Sequence, residues 1–378
     1  MARPIIYIHT TDLGANDTST TFVLYNAVSL AQGGAKVFLV LINSSDQDPY
    51  ELVSAFVESE ALPETLQVVG FRHRSRSKFR FYLFARSYVR EFPQPALVIN
   101  RAHGVAPYLL FQRDRRHVYL FETHDFFYDL TIRDDVQGKA MRRKSRIERR
   151  HFKHLDGMIC LNEHQKRLYK ERLPDMAIGV FPTGIHQLPT LEKERKDRVV
   201  YIGSLDWRLG TNALQRLMEV WPDDIELFII GGKRESEIAA FKEGVSSTSQ
   251  NIVFTGWIDK LAIHDILKEA KVALMPHEDV FFNRYLTVPL KMFDYFAYGL
   301  PILATDLPAI RDWITEGKEG YFMNWQDEKA VIQMVKELLK QETHWKEMSD
   351  VVIDKALAML WSKRAAGQLR YFEEMGWR

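Results

Sequence analysis

The chain has 378 residues, 46% of them hydrophobic, and a net charge of +1. That length predicts two domains rather than one core, and the composition excludes long disorder. The near-neutral balance excludes a global field that steers polyanions, so any electrostatic function must come from local patches. The single cysteine, Cys160, excludes a disulfide framework and fits a reducing compartment. The first residues, MARPIIYIHTTDLG, carry no signal-peptide pattern, and no run reaches the ~18 apolar residues that a bilayer span needs. The expectation is a cytoplasmic protein whose membrane contact, at the inner face, is peripheral.

PIIYIHT reads as a buried strand. TSTTFVLYNAVSLAQGG reads as a helix, with apolar residues at helical spacing and a Gly pair as its stop. AKVFLVLIN is the second strand, followed by LQVVGF, ALVIN, HVYLFET, GMICLN and IGVFP with helical segments between several of them. This alternation predicts a mainly parallel α/β sheet with helices on both faces. Residues 186–197 are polar, charged and Pro-containing, a linker by composition. The pattern then restarts with RVVYIGS, ELFIIGG, NIVFTGW, VALMPHE and PILATD. The expected organisation is an N-terminal domain over 1–190, a second domain over 198–358, and a helix over about 361–378 that returns to the first. Fold-level rules place ligands beyond the C-terminal strand ends, here in a cleft between the domains.

The stretch VPLKMFDYFAYGLPILATD carries a charge pair inside an otherwise apolar helix. Pro289 suits the first turn and Gly299 the C-terminal cap. Leu290, Phe293 and Ala297 define an inward stripe, which Asp294 flanks. Lys291 and Asp294 are three apart and can touch. One reading is a surface pair. The other is a nucleotide site, with phosphate on the free N–H groups of the helix start and sugar hydroxyls on the acid.

PLKMFDYFAYGLPILATDLPAIRDWI resembles the signature region of family 4 retaining glycosyltransferases of the GT-B fold, through Pro289, Lys291, Phe293, Tyr295, Ala297, Gly299 and Pro301. YIGSLDWRLGTNAL, NIVFTGWIDKLAIHDILKEAKVALMPHE, GVFPTGIH and FETHDFF resemble further parts of that family along nearly the whole chain. The resemblance implies two Rossmann-like domains facing each other across a cleft, an acceptor-side first domain and a second domain that binds the nucleotide sugar. It implies that Asp294, where the family usually has Glu, holds the donor ribose. Backbone near Val288, Pro289 and Leu290 then meets the diphosphate, assisted by Lys291. Ser204 and Leu209 stand where the family usually has Arg and Lys after Gly203, and Arg208 is the neighbouring substitute. Base recognition falls to backbone around Gly231, Gly232 and Ile258. His124 in FETHDFF is implied to lie near the donor sugar, with Asp125 orienting it or capping a helix. Gly14 and Asn16 in TTDLGANDTST are candidates for phosphate or acceptor contact, with Asp17 or Thr18 as a helix N-cap in the alternative. Where the family often has a second acid, this chain has Leu286, and Asn283 or Arg284 is the replacement for sugar contacts. The implied chemistry is metal-independent sugar transfer from a UDP- or GDP-linked donor to a glycan or lipid-linked saccharide, with no further cofactor. A GT-B epimerase or a non-catalytic partner subunit remains the alternative.

Two segments are strongly basic. FRHRSRSKFRFYLFARSYVR (71–90) has seven Lys/Arg and no acid, and GKAMRRKSRIERRHFKH (138–154) has eight against Glu148. They read as solvated helix faces over a core stripe, as a peripheral membrane surface, or as a nucleic-acid surface. The last lacks any accompanying motif. Asp46-Gln47-Asp48 has the spacing of a metal-binding DxD but comes too early, and HTTDLGAND is not a dinucleotide fingerprint. A secreted solute-binding protein would want a leader.

Overall fold

The computed structural model describes residues 2–15, 17–59, 61–72, 77–191, 194–232, 234–245 and 249–378. The chain divides into two compact units, Met1–His186 with Trp361–Arg378, and Gln187–Leu360.

The first unit runs β1 (Ile5–Asp12), α1 (Thr18–Gln32), β2 (Val37–Asn43), α2 (Pro49–Phe56), β3 (Leu66–Arg72), α3 (Phe79–Glu91), β4 (Leu97–Asn100), α4 (Ala106–Leu110), β5 (Val118–Glu122), α5 (Lys139–His151), β6 (Gly157–Cys160), α6 (Glu163–Lys170) and β7 (Ile178–Val180). Its seven strands are parallel in the order β3-β2-β1-β4-β5-β6-β7. The central strands carry apolar runs because both faces are covered, and every residue of β2 is buried, whereas the edge strand β3 is largely part-exposed. Asp17 caps α1 by accepting from Thr20 N at 2.8 Å. Asp48 caps α2, and Asp46 pairs with Arg72, so the early DxD spacing is a loop and a helix start.

The second unit runs β8 (Arg198–Ile202), α7 (Thr211–Glu219), β9 (Glu226–Ile230), α8 (Glu235–Glu243), β10 (Ile252–Gly256), α9 (Lys260–Glu269), β11 (Val272–Met275), α10 (Leu290–Ala297), β12 (Ile302–Ala304), α11 (Pro308–Arg311), β13 (Gly320–Phe322), α12 (Glu328–Lys340) and α13 (Glu342–Ala358). Its six parallel strands follow the order β10-β9-β8-β11-β12-β13. The short edge strand β13 has no counterpart among the sequence expectations. The segment before α10, expected as a loop, contains a π-helical turn at Phe282–Leu286. The last helix, α14 (Trp361–Glu374), belongs to the first unit and packs on α1, with Trp361 and Phe22 ring centroids 5.1 Å apart.

The two basic helices are held differently. α3 buries an apolar stripe of Phe81, Ala85 and Val89. α5 has no such stripe; it buries Ser145 and Glu148. Glu148 accepts from Tyr169 Oη at 3.0 Å and from Phe127 N at 3.1 Å, and it bonds His103 Nε2 at 2.7 Å. The one acid of that basic run is therefore its anchor, and the core-stripe expectation fails for α5.

Backbone crowding fixes the strand ends of the second unit. Gly231 follows β9 with φ 144°, and a Cβ there would lie 1.8 Å from the Gly203 carbonyl oxygen. Gly231 N also donates to Gly256 O at 3.1 Å. Gly231→Ala is expected to destabilise the second unit by about 2–4 kcal/mol. Urea denaturation checks it, and a change under ~0.5 kcal/mol would contradict this account.

Candidate active site

Strand order in the second unit reverses between β8 and β11. Loops leaving the C-terminal ends of two such strands part, and a crevice opens there. The loop after β8 runs through Gly203–Gly210, and the segment after β11 runs from Pro276 to Pro289. The two are stitched together. Glu278 N donates to Arg208 O at 3.1 Å, and the buried Asn283 amide donates to Arg208 O and Glu278 O, both at 2.8 Å. The structure thus places Asn283 as a strut whose N–H groups are already engaged.

Helix α10 is pinned at this point. Tyr295 Oη accepts from Ile202 N at 2.7 Å at the end of β8 and lies 3.5 Å from Leu274 O in β11. Pro289 precedes the helix and no side chain caps it, so its first N–H groups face the crevice without a capping acceptor. Lys291 is only 8% exposed and its Nζ has no hydrogen-bond partner. The ammonium sits 4.5 Å from the Tyr201 ring centroid, and a Cβ on Gly203 would come within 3.2 Å of it. Burial pushes it down to about 7. Lys291 and Asp294 are therefore not the closed pair that their spacing allows.

His277 follows β11 by two residues. It is 2% exposed, and neither ring nitrogen has a partner. Burial first, and the Lys291 charge second, hold it well below its ordinary value. A buried cation and a buried imidazole without acceptors are costly. An anion seated at the start of α10 supplies what both lack. Sequence reasoning passed over His277; the available signal was a polar residue directly after the strand VALM and a proline.

Asp294 lies one turn deeper and keeps solvent contact. Desolvation by the surrounding protein pushes its carboxyl up to about 7, against the pull of Lys260. Solvent contact tempers that shift, so the carboxylate form prevails above neutral pH. Gly203, Gly232 and Ile258 follow the adjacent strands β8, β9 and β10, so the order of the sheet brings them side by side. Ser204 is exposed and its carbonyl accepts from Tyr201 Oη at 3.2 Å. Arg208 is held by Asp206 through two 3.1 Å bonds. Such an exposed pair contributes only ~0–1 kcal/mol, so a phosphate competes for the guanidinium. Arg284 is turned onto Asp279.

In the first unit, His124 follows β5. Burial and then Arg101 hold its imidazole well below the ordinary value, and its Nδ1 has no partner. Asp125 does not orient it: that carboxylate takes Arg133 Nη1 at 2.7 Å and Phe126 N at 2.7 Å. Gly14 is exposed, and a Cβ there would meet nothing within 4 Å, so no close approach requires glycine. Asn16 lies outside the described residues. Among the described residues no group of three His, Cys, Asp or Glu side chains is placed to hold a metal.

Residues 196–341 match the family model for glycosyl transferases group 1. That match lies wholly within the second unit, whose residues 196–341 are similar to group 1 glycosyl transferases. Solved structures extend the likeness to the whole chain as a fold. Sucrose-phosphate synthase from Thermosynechococcus elongatus superposes with a TM-score of 0.76 at 16% identity, covering 99% of both chains. TarM of S. aureus, in a complex with fondaparinux, alpha-GlcNAc-glycerol and UDP, gives 0.73 at 11% identity over 98% of this chain and 100% of its own. These are GT-B structures, and the fold here is GT-B. A Klebsiella pneumoniae relative, the "Uncharacterized 41.2 kDa protein in cps region", is 22% identical over 143 residues. That match spans 38% of this chain and 37% of the relative's length.

Within the matched residues Leu286 is 1% exposed, in the π-helical turn. An acid there would be buried in apolar surroundings, so the turn has no place for the family's second carboxylate. The unpartnered Lys291 makes two linked predictions. Lys291→Met should raise the stability of the ligand-free protein by about 1–4 kcal/mol, because it removes a buried unpaired charge. The same variant should lose UDP binding. A bound diphosphate raises the Lys291 pKa, so at about pH 8 wild-type binding draws a proton from the buffer, while Asp294 is already ionised. Calorimetry in two buffers of different ionisation enthalpy measures this uptake; an equal uptake by Lys291→Met would refute the assignment.

Proposed function

We propose that this chain is a retaining glycosyltransferase that moves a sugar from a UDP- or GDP-linked donor to a glycan or lipid-linked saccharide acceptor. Its place is in polysaccharide or glycoconjugate assembly. The observation that carries the reading is Lys291: a buried cation without an anion, at the switch point of a group 1 glycosyltransferase domain. UDP in the TarM complex supports a uridine donor. In this reading Asp294 accepts hydrogen bonds from the ribose hydroxyls. The N–H groups of the first turn of α10, Lys291, His277 and, after release from Asp206, Arg208 take the diphosphate. Gly203, Ser204, Gly232 and Ile258 line the base side, and His124 serves the donor sugar.

The reaction needs charge stabilisation where the leaving group forms. The anomeric carbon–oxygen bond to the β-phosphate breaks, and the electron pair leaves with the diphosphate. Donors fixed around that oxygen stabilise it without reorganising. The acceptor hydroxyl then bonds the same carbon from the same face, and its proton passes to the departing phosphate. Configuration is retained, no protein nucleophile is named, and the cationic donors supply the charge that a metal supplies elsewhere.

Calorimetric binding of UDP, GDP, ADP and CMP to wild type and Asp294→Ala tests the site, with transfer of radiolabelled sugar to lipid extracts testing the activity. One nucleotide should bind at micromolar affinity and weaken at least about tenfold in Asp294→Ala without loss of fold. Binding without transfer would favour the epimerase or partner-subunit reading. No binding at all would overturn the proposal.

The acceptor's location draws on the first unit. α3 packs against α4, and α4 against α5. Exposed Phe79, Leu83 and Phe111 lie on this face, with Arg86 5.2 Å from the Phe111 ring and exposed Arg142, Arg143 and Arg146 on α5. Residues 73–76 of the first basic segment lie outside the described residues. No described helix is long and apolar enough to cross a membrane. Basic residues at an anionic surface contribute roughly 1 kcal/mol each. Phosphatidylglycerol vesicles should therefore sediment the protein at low salt and phosphatidylcholine vesicles should not. Replacing Arg142, Arg143 and Arg146 together by Gln should reduce the anionic binding at least about tenfold; unchanged sedimentation would remove this surface from the account.

A further inference from the structure

The first sheet reverses its strand order between β1 and β4, so it has a switch point of its own. The register places Ile8 opposite Asn100 and Asn100 opposite Phe121. The next residue on each strand is His9, Arg101 and Glu122, a row across three neighbouring C-terminal strand ends. The row opens onto the segment that carries His124.

Charge in this row does not balance. Glu122 is fully buried and accepts from Arg364 Nη2 at 2.6 Å and from Tyr7 Oη. Arg101 Nη1 stands 3.4 Å from its other oxygen. Two guanidinium groups thus face one carboxylate. Arg364 is satisfied elsewhere too, donating to Pro182 O at 2.6 Å and Gln368 Oε1 at 2.7 Å. Arg101 is not. It is 4% exposed, lies 3.7 Å over the Phe22 ring, and its Nε and Nη1 make no hydrogen bond. Beside it, His9 Nδ1 accepts from Thr11 N at 3.2 Å, which leaves the ring proton on Nε2. Lys78, bonded to Thr10 O at 2.9 Å, stands at the same end of β1 but is offset by Asp17 and Asp12, so the excess in the row rests on Arg101.

We infer that the first unit holds an anion subsite at its own switch point, with Arg101 and His9 as donors and His124 at its edge, built for a carboxylate or phosphate group on the acceptor. A neutral hydroxyl would leave the excess positive charge where it is. An anion would take both the guanidinium N–H groups and the His9 Nε2–H. Burial, and next the Arg101 charge, keep His9 and His124 neutral, so His9 presents its Nε2–H while its Nδ1 stays with Thr11 N, and His124 presents an unpartnered Nδ1. Neighbouring strand ends are ~4.8 Å apart, so the row fits one small charged group. The inference rests on the transferase reading only in calling the ligand an acceptor.

The test titrates full-length protein with glucuronate against glucose, and with glycerol 1-phosphate against glycerol, by ligand-observed NMR. The Lys291→Met background is used so that the donor site is silent. Saturable binding of glucuronate or glycerol 1-phosphate, with no binding of the neutral partner, supports the subsite, and the stronger of the two names the group. Arg101→Gln should weaken that anion at least about tenfold. Glu122 keeps Arg364 and Tyr7 in that variant, and in an otherwise wild-type chain Arg101→Gln should leave UDP affinity unchanged. His9→Gln leaves the ion pairs in place and should weaken the anion severalfold, which keeps the test open even where Arg101→Gln unfolds. The inference falls if neither anion binds, if glucose binds as well as glucuronate, or if the substitutions leave binding unchanged. UDP binding without anion binding sinks the subsite alone. Anion binding without nucleotide binding sinks the donor reading and leaves the subsite standing.

Discussion

Each sheet is laid down from its middle outward in two directions, and both proposed sites depend on that reversal. Where the direction changes, β1 against β4 and β8 against β11, the outgoing loops part and no backbone fills the gap. In both units the sequence puts a buried cation into that gap: Arg101 after β4 and Lys291 at the start of α10. Neither finds enough acceptors in the protein itself. A core that evolved for stability alone would place an apolar side chain at each position, since unpaired buried charge costs free energy. A ligand that brings negative charge offsets that cost, so the instability of the empty site and the affinity of the filled one have a single origin.

The supporting residues keep these charges where they are. Tyr295 ties α10 to the ends of β8 and β11, so the first turn cannot slide away from the crevice. Gly203 and Gly231 let two strand ends crowd together, and the space left beside Gly203 is the space Lys291 occupies. In the first unit, Tyr7, Glu122 and Arg364 form a hydrogen-bonded core under Arg101. Glu148 fastens α5 beneath the segment that carries His124. These contacts connect rigid elements, and a site on rigid elements loses little ordering entropy when its ligand arrives.

Much of this was legible in the sequence, for reasons that also mark the limits. Strands buried on both faces carry apolar runs with polar residues only towards their ends, so β1, β2, β4, β5 and β11 stand out between helices. β13 is three residues long at a sheet edge, too short to leave a pattern. Lys291 and Asp294 were identifiable because charge inside an apolar helix is conspicuous. Spacing could not show that the two side chains go to different places, one buried under Gly203 and one to solvent. The segment Phe281–Leu286, expected as a loop, contains a π-helical turn that buries Leu286 and sets Asn283 between two carbonyls, which its residues alone do not reveal. Arg208 looked like a free phosphate ligand because its partner, Asp206, is two residues away in a loop whose shape the sequence does not give. His9 and Arg101 lie 92 residues apart and meet only through the register of β1 on β4. A pairing of that kind is invisible until strand order is known.

The protonation states give the donor site a direction. Burial holds the Lys291 amine down to about 7 in the empty protein, whereas Asp294 keeps solvent contact and stays a carboxylate above neutral pH. In the proposed donor reading, a nucleoside diphosphate brings negative charge to Lys291 and hydroxyl donors to Asp294. On that reading Lys291 is partly neutral in the empty crevice, and the diphosphate draws it to the ammonium form that grips the ligand. In the proposed transfer, further negative charge develops on the β-phosphate as the bond to the sugar breaks, and the ammonium stabilises that state more than the bound donor before it. Differential stabilisation of this kind is what accelerates a chemical step.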